Sequence, residues 1–282
     1  MATERQGDGN QMDYSIIVPS NGRPYCLERL LRSLKHVPAP RSVIVGHSTP
    51  DTAPDWVHRW YEALFADPLV RAVPLTANRG PGGARRDLAA LCETPYVMFL
   101  DDDLVLTPES AKLFAPLLDK QADIVGGVWL QDRPSNYKEL IGEAQARAIP
   151  LDDNPAPSVK TVPVGFTYSF APDTVIKAPV SCPATLDTLV FVDDLIPNIA
   201  LHMDVFAKIN FDEQFLYFFE WYDFYMQAQT AELLCATATG AKFIHMPEPY
   251  ACLTAPHLRP REEDRERFRQ KWQILPLVSG EA

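Results

Sequence analysis

The stretch Tyr96-Val97-Met98-Phe99-Leu100-Asp101-Asp102-Asp103-Leu104-Val105-Leu106-Thr107-Pro108-Glu109 sets the reading of the whole chain. An uninterrupted apolar run from Val97 to Leu100 is the pattern of a strand buried on both faces, as in a parallel sheet covered by helices on either side. The run ends in three consecutive acids, and Pro108-Glu109 then opens a helix. Three adjacent carboxylates repel one another unless a cation sits among them. The carboxyl ends of strands are where open α/β sheets bind ligands. Hard oxygen ligands suit Mg²⁺ or Mn²⁺, ions that commonly hold phosphates. The plainer alternative is an acidic strand-to-helix turn in which Asp103 caps a helix.

Upstream, the same alternation recurs. Tyr14 to Pro19 is a short apolar strand, Ser20-Asn21-Gly22-Arg23-Pro24 a turn, and Tyr25 to Leu34 a helix with Leu27, Leu30, Leu31 and Leu34 at helical spacing. Ser42 to Gly46 reads as a second strand, Asp55 to Phe65 as a second helix, and Val70 to Leu75 as a third strand. Asn78-Arg79-Gly80-Pro81-Gly82-Gly83 then leads into a helix that carries Arg85. A glycine-rich turn opening a helix can present backbone N–H groups to an anion. It matches neither the Walker pattern nor GxGxxG, which weakens ATP and NAD readings. Strands alternating with helices predict a right-handed, mostly parallel α/β sheet.

Downstream, Asp123 to Trp129, Val190 to Asp194, Asn198 to His202 and Ala241 to His245 have strand character. Residues 131 to 163 are interrupted by prolines and read as a binding loop or a partly disordered stretch. Phe211 to Gln229 is strongly aromatic and contains Glu220 and Asp223, and Arg261 to Ile274 is a charged helix.

The chain has 282 residues and a formal net charge of −11, which argues against nucleic acid or an anionic membrane as partner. No apolar stretch approaches the ~20 residues of a spanning helix. Residues 1 to 13 are polar and lack a signal-peptide core, so they read as a disordered lead-in. Five scattered cysteines with no CxxC pair suggest thiols in a reducing compartment, hence the cytoplasm.

Six segments, in this order, resemble the inverting nucleotide-sugar glycosyltransferases of the GT-A fold in the broad family 2 group. Ser15 to Pro24 resembles the opening "vSIIIPtyNRp", Asn78 to Asp87 the "NxGxxxARN" element, and Phe99 to Asp103 the "FLDDD". Phe211 to Phe215 with Glu220 and Asp223 resembles "FDExF…GEDxDL", Ile244-His245 the closing "vvH", and Phe268 to Trp272 the "FxxKW" tail. The resemblance implies one GT-A (Rossmann-like) domain over residues 14–275. Within it, 14–130 would bind the nucleotide sugar, 131–163 form a substrate loop, 164–255 bind the acceptor, and 256–275 form a C-terminal helix.

The implied reaction passes a sugar from a nucleoside-diphosphate donor to an acceptor hydroxyl with inversion. The resemblance assigns Asp103 and His245 to a Mn²⁺ or Mg²⁺ ion. It assigns Pro19, Asn21, Arg23, Arg85, Asp101 and Asp102 to the nucleotide sugar. Glu220 is the expected general base and Asp223 the second choice. Two departures stand out. Gly46-His47-Ser48-Thr49 replaces the acidic turn that usually follows the second strand, and Trp221 occupies the second position of the usual Glu-Asp pair. The latter leaves open a catalytically inactive relative that binds a nucleotide sugar or a protein partner.

Overall fold

The computed structural model describes residues 12–49, 53–76, 79–131, 161–171, 174–183, 186–193, 195, 198–216, 219–246, 262–272 and 278–279. The expected lead-in over residues 1–13 therefore lies outside the described residues apart from its last two. The same holds for residues 132–160 of the expected substrate loop.

The first half alternates as the hydrophobic pattern requires: β1 (Tyr14–Ser20), α1 (Pro24–Ser33), β2 (Ser42–His47), α2 (Asp55–Phe65), β3 (Val70–Pro74), α3 (Gly80–Ala89), β4 (Tyr96–Leu100). β1 pairs in parallel with β2 and β4, and β2 in parallel with β3. Neighbouring residues on these strands enter opposite cores. Ile16, Val18, Val43, Val45, Met98 and Leu100 pack with Leu27 and Leu30 of α1 and with Val57 and Tyr61 of α2. Ile17, Ile44, Val97 and Phe99 pack on the other face with Leu88 of α3. Burial on both faces is why these strands read as unbroken apolar runs.

After β4 come β5 (Leu104–Leu106), a 3₁₀ turn (Pro108–Leu113), α4 (Phe114–Leu118) and β6 (Ile124–Gln131). The helix expected at Pro108 thus begins as a 3₁₀ turn, with Thr107 and Ser110 forming a reciprocal cap. β7 (Thr161–Ala171) and β8 (Thr174–Pro183) form a long antiparallel hairpin, joined by β12 (Val278–Ser279) into a small separate sheet. Residues 161–163, expected in the irregular loop, are already strand. β9 (Leu189–Phe191), β10 (Asn198–His202), α5 (Phe219–Thr230), β11 (Cys235–His245) and α6 (Glu262–Trp272) complete the elements. Among the described residues the main sheet has nine strands, in the order β3-β2-β1-β4-β10-β6-β11-β5, with β9 on β11. β10 runs antiparallel to both β4 and β6, while β6 and β11 are parallel. The result is a curled, mostly parallel α/β sheet flanked by helices, as expected.

Two glycines let α3 approach α5. Gly80 has φ of +68°, and a Cβ there would lie 2.8 Å from the Leu216 carbonyl oxygen. A Cβ on Gly82 would lie 2.6 Å from Cβ of Glu220. The glycine-rich stretch, read as an anion cradle, therefore also serves as a close helix contact. Gly82→Val is expected to destabilise the protein by roughly 1–3 kcal/mol, the usual cost of overpacking a fitted contact. Urea unfolding of the variant beside wild type measures this, and equal midpoints would remove the contact from the account.

Candidate active site

The acids that follow β4 leave the sheet between β1 and β10, because β4 is hydrogen-bonded to both. Asp102 turns inward and is fully buried. Its Oδ2 accepts a hydrogen bond from Ser20 Oγ at 2.7 Å, and its Oδ1 is ion-paired with Arg23 Nη2. Tyr61 of α2 braces this turn: its hydroxyl lies 2.7 Å from Ser20 Oγ and accepts from the Arg23 backbone N–H at 2.9 Å.

Asp103 Oδ2 accepts from Arg23 Nη1 at 3.0 Å, and the same oxygen lies 3.7 Å from Nε2 of His245 at the end of β11. The Asp103 carbonyl accepts from the Met246 N–H at 2.9 Å, which fixes the end of β11 beside the acidic turn. The His245 ring stacks on Trp129 of β6 with centroids 4.1 Å apart.

Asp101 Oδ1 accepts from Arg85 Nη2 at 2.6 Å, and Glu220 Oε1 accepts from Arg85 Nη1 at 3.3 Å. Arg85 is buried, with its guanidinium carbon 4.6 Å over the Trp221 ring. One arginine thus fixes the spacing between the β4 acid and the first turn of α5.

Charge does not balance here. Four acids (Asp101, Asp102, Asp103 and Glu220) face two guanidiniums, Arg23 and Arg85. Burial pushes Glu220 up to about 7 despite the nearby Arg85 charge, and likewise raises Asp102 against the pull of Arg23. Burial would raise Asp103 too, but His245 and Arg23 outweigh it and hold that carboxyl below the usual range. Asp103 is accordingly the acid best kept ionised.

Asp103 Oδ1, His245 Nδ1 and Glu220 Oε2 are buried and have no hydrogen-bond partner. An excess of acids over guanidiniums and the unpartnered oxygen and imidazole donors fit a divalent cation. Among the described residues no group of three His, Cys, Asp or Glu side chains is arranged around one point. Asp103 and His245 would therefore supply two ligands, which suits Mg²⁺-type sites completed by substrate phosphates and water.

Of the residues singled out in the sequence, Asp101, Asp103, Arg23, Arg85, Glu220 and His245 meet at this edge. Pro19 and Asn21 sit beside them on the β1 turn, both half-buried. Asp102 departs from expectation: both of its oxygens are engaged within the protein, so it braces the β1 turn rather than facing a ligand. Asp223 departs further. It is fully buried against α6, where Trp272 Nε1 donates to Oδ1 at 2.9 Å, Gln227 Nε2 to Oδ2 at 2.7 Å, and Lys271 Nζ lies 2.8 Å away. The "FxxKW" tail is thus a docking device, with Phe268 buried beside Phe215 and Phe219.

His47, at the end of β2, lies among the Tyr61 and Phe65 rings, and burial lowers its pKa. Asn198 was not anticipated. It opens β10 opposite Leu100, is fully buried, and neither side-chain atom has a partner. A lone amide at the head of an apolar strand was the available signal.

Residues 15–153 match the model of Glycosyl transferase family 2. Among solved structures, S. aureus TarS 1-349 in complex with UDP-GlcNAc superposes with a TM-score of 0.53 at 16% identity, over 95% of this chain and 68% of that one. Another structure of S. aureus TarS 1-349 gives 0.50 at 17%, over 83% of this chain and 60% of that one. GalNAc-T7 with UDP, GalNAc and Mn²⁺ gives 0.65 at 11%, over 93% of this chain and 48% of that one. No curated protein matches the sequence. The chain thus spans 60% and 48% of two of these similar structures. At such identities the likeness is one of fold. With the family match, it makes this a family 2-like glycosyltransferase fold of the GT-A type.

Asp223→Ala is expected to lower stability by roughly 1.5–3 kcal/mol, the worth of hydrogen bonds to a charged group. It should also expose α6 to protease. Unchanged melting and protease resistance would show that α6 is held without Asp223.

Proposed function

We propose that the protein is a metal-dependent inverting glycosyltransferase with Glu220 as general base. The observation that carries the reading is the Asp101–Arg85–Glu220 bridge, which sets a carboxylate with one unpartnered oxygen beside the acids of β4. In this reading Glu220 Oε2 takes the proton of an acceptor hydroxyl as that hydroxyl attacks the anomeric carbon. An acid whose pKa lies near 7 is well matched to that task. Arg85 orients the base and keeps positive charge close to where a diphosphate would leave. Asp101, Pro19 and Asn21 wall the nucleotide side.

A bound Mn²⁺ or Mg²⁺, held by Asp103 and His245, would supply Lewis-acid stabilisation of the leaving diphosphate. The UDP and Mn²⁺ named with the similar structures support a nucleoside-diphosphate sugar and a divalent ion. The acceptor is a hydroxyl-bearing glycan or small molecule. We assign residues 14–130 to the donor and 164–255 to the acceptor, with α6 (Glu262–Trp272) at the C-terminal side of both. Free thiols at Cys26, Cys92 and Cys182 support a cytoplasmic setting. No helix among the described residues is long and apolar enough to cross a membrane.

One observation favours a second reading. Trp221, where an acid is usual, is buried in the core against Phe211, Phe224 and Tyr225, so that position carries no base. If Glu220 does not replace it, the protein binds a donor without turning it over.

A screen of nucleotide sugars for Mn²⁺-dependent hydrolysis and transfer separates the two. Wild-type turnover should rise with pH through about 7, because Glu220 must lose its proton to act. Glu220→Gln should remove that limb and cut turnover roughly 10²- to 10⁴-fold, with donor affinity nearly unchanged. Donor binding without turnover in wild type supports the second reading. Near-normal turnover in the variant rules out Glu220 as base.

A further inference from the structure

Arg23 stands where the two functions of the acidic turn collide. Its guanidinium spans Asp102 and Asp103, with Nη1 on Asp103 Oδ2 at 3.0 Å and Nη2 on Asp102 Oδ1. The same Asp103 oxygen is the one that faces His245. A cation shared by Asp103 and His245 must therefore sit beside a guanidinium, and the two positive charges repel. Asp103 is 8% exposed and keeps one oxygen unpartnered, so it has a free acceptor to offer such a cation. Asp102, in contrast, keeps Ser20 as a second partner whatever Arg23 does. The Arg23 side chain is partly exposed while Asp102 is fully buried, so Arg23 is the member of the pair that borders solvent.

We propose that Arg23 is the resident counter-ion of Asp103 and that it gives Asp103 up when a divalent cation arrives together with a diphosphate. Arg23 then stays with Asp102 and turns Nη1 toward the diphosphate, whose charge replaces the lost carboxylate contact. The bare cation competes with Arg23, whereas the cation with its diphosphate recruits it. Cation and nucleotide therefore bind cooperatively, and the site resists filling by metal alone. The inference rests on the reading of Asp103 and His245 as metal ligands and adds a positioning role for Arg23.

Calorimetric titration of Mn²⁺ tests it, first alone and then with UDP or another nucleoside diphosphate present. Arg23→Met combined with Asp102→Asn removes the guanidinium without leaving a buried carboxylate unpaired, and Asp102→Asn alone is the control. The double variant should bind Mn²⁺ alone about tenfold tighter than wild type, and the Mn²⁺-dependent affinity for the diphosphate should fall by a similar factor. Asp102→Asn alone should leave Mn²⁺ affinity near wild type. If the double variant does not fold, as judged by thermal melting, Arg23→Gln should shift both affinities in the same directions. Unchanged or weaker binding of Mn²⁺ alone overturns the role of Arg23 while leaving the metal site standing. Failure of wild type to bind Mn²⁺ even with diphosphates overturns the metal site itself, and this inference with it.

Discussion

The constraint on which the rest of the site depends is charge. Asp101, Asp102, Asp103 and Glu220 come together against two guanidiniums, in surroundings where an ionised carboxylate is costly unless paired. The fold manages this by dividing the acids. Asp102 is turned inward to Ser20 and Arg23, where it braces the β1 turn. Asp101 and Glu220 share Arg85, which is itself sandwiched against Trp221. Asp103 keeps an unpartnered oxygen, and Arg23 and His245 beside it hold its carboxyl below the usual range. What looks in sequence like one acidic run is three acids with three different surroundings.

Trp221 shows how such a site can change without losing its frame. It supplies no acid, yet it packs over Arg85 and fills the core between Phe211 and Phe224. The arginine that fixes Glu220 is thereby dried and immobilised.

Much of the first half was legible because each helix has one apolar stripe and each strand is buried on both faces. α2 has the bounds that its spacing of Trp56, Trp60 and Leu64 suggests, although Trp56 proves exposed and Val57 and Tyr61 carry the burial. The second half was harder. β11 begins at Cys235, well before the apolar Ala241-Lys242-Phe243, because small residues from Ala236 to Gly240 carry little hydrophobic signal. The β7–β8 hairpin contains Pro163 and Pro179, and proline demotes a strand in any pattern reading although sheet edges and bulges tolerate it. A register shift does fall between Pro163 and Gly165.

The acids of the site could be named from sequence, but not where each one points. Asp102 and Asp223 are both committed to internal partners, and those partners lie 82 residues away at Ser20 and 48 away at Lys271.

The central claim is that this edge holds a divalent cation through Asp103 and, with it, a nucleoside diphosphate. Binding of nucleoside diphosphates with and without Mn²⁺, in wild type and in Asp103→Ala of unchanged melting temperature, measures it most directly. The account predicts binding in wild type that depends on Mn²⁺, and loss of that dependence in the variant. Metal-dependent affinity that survives Asp103→Ala would contradict it.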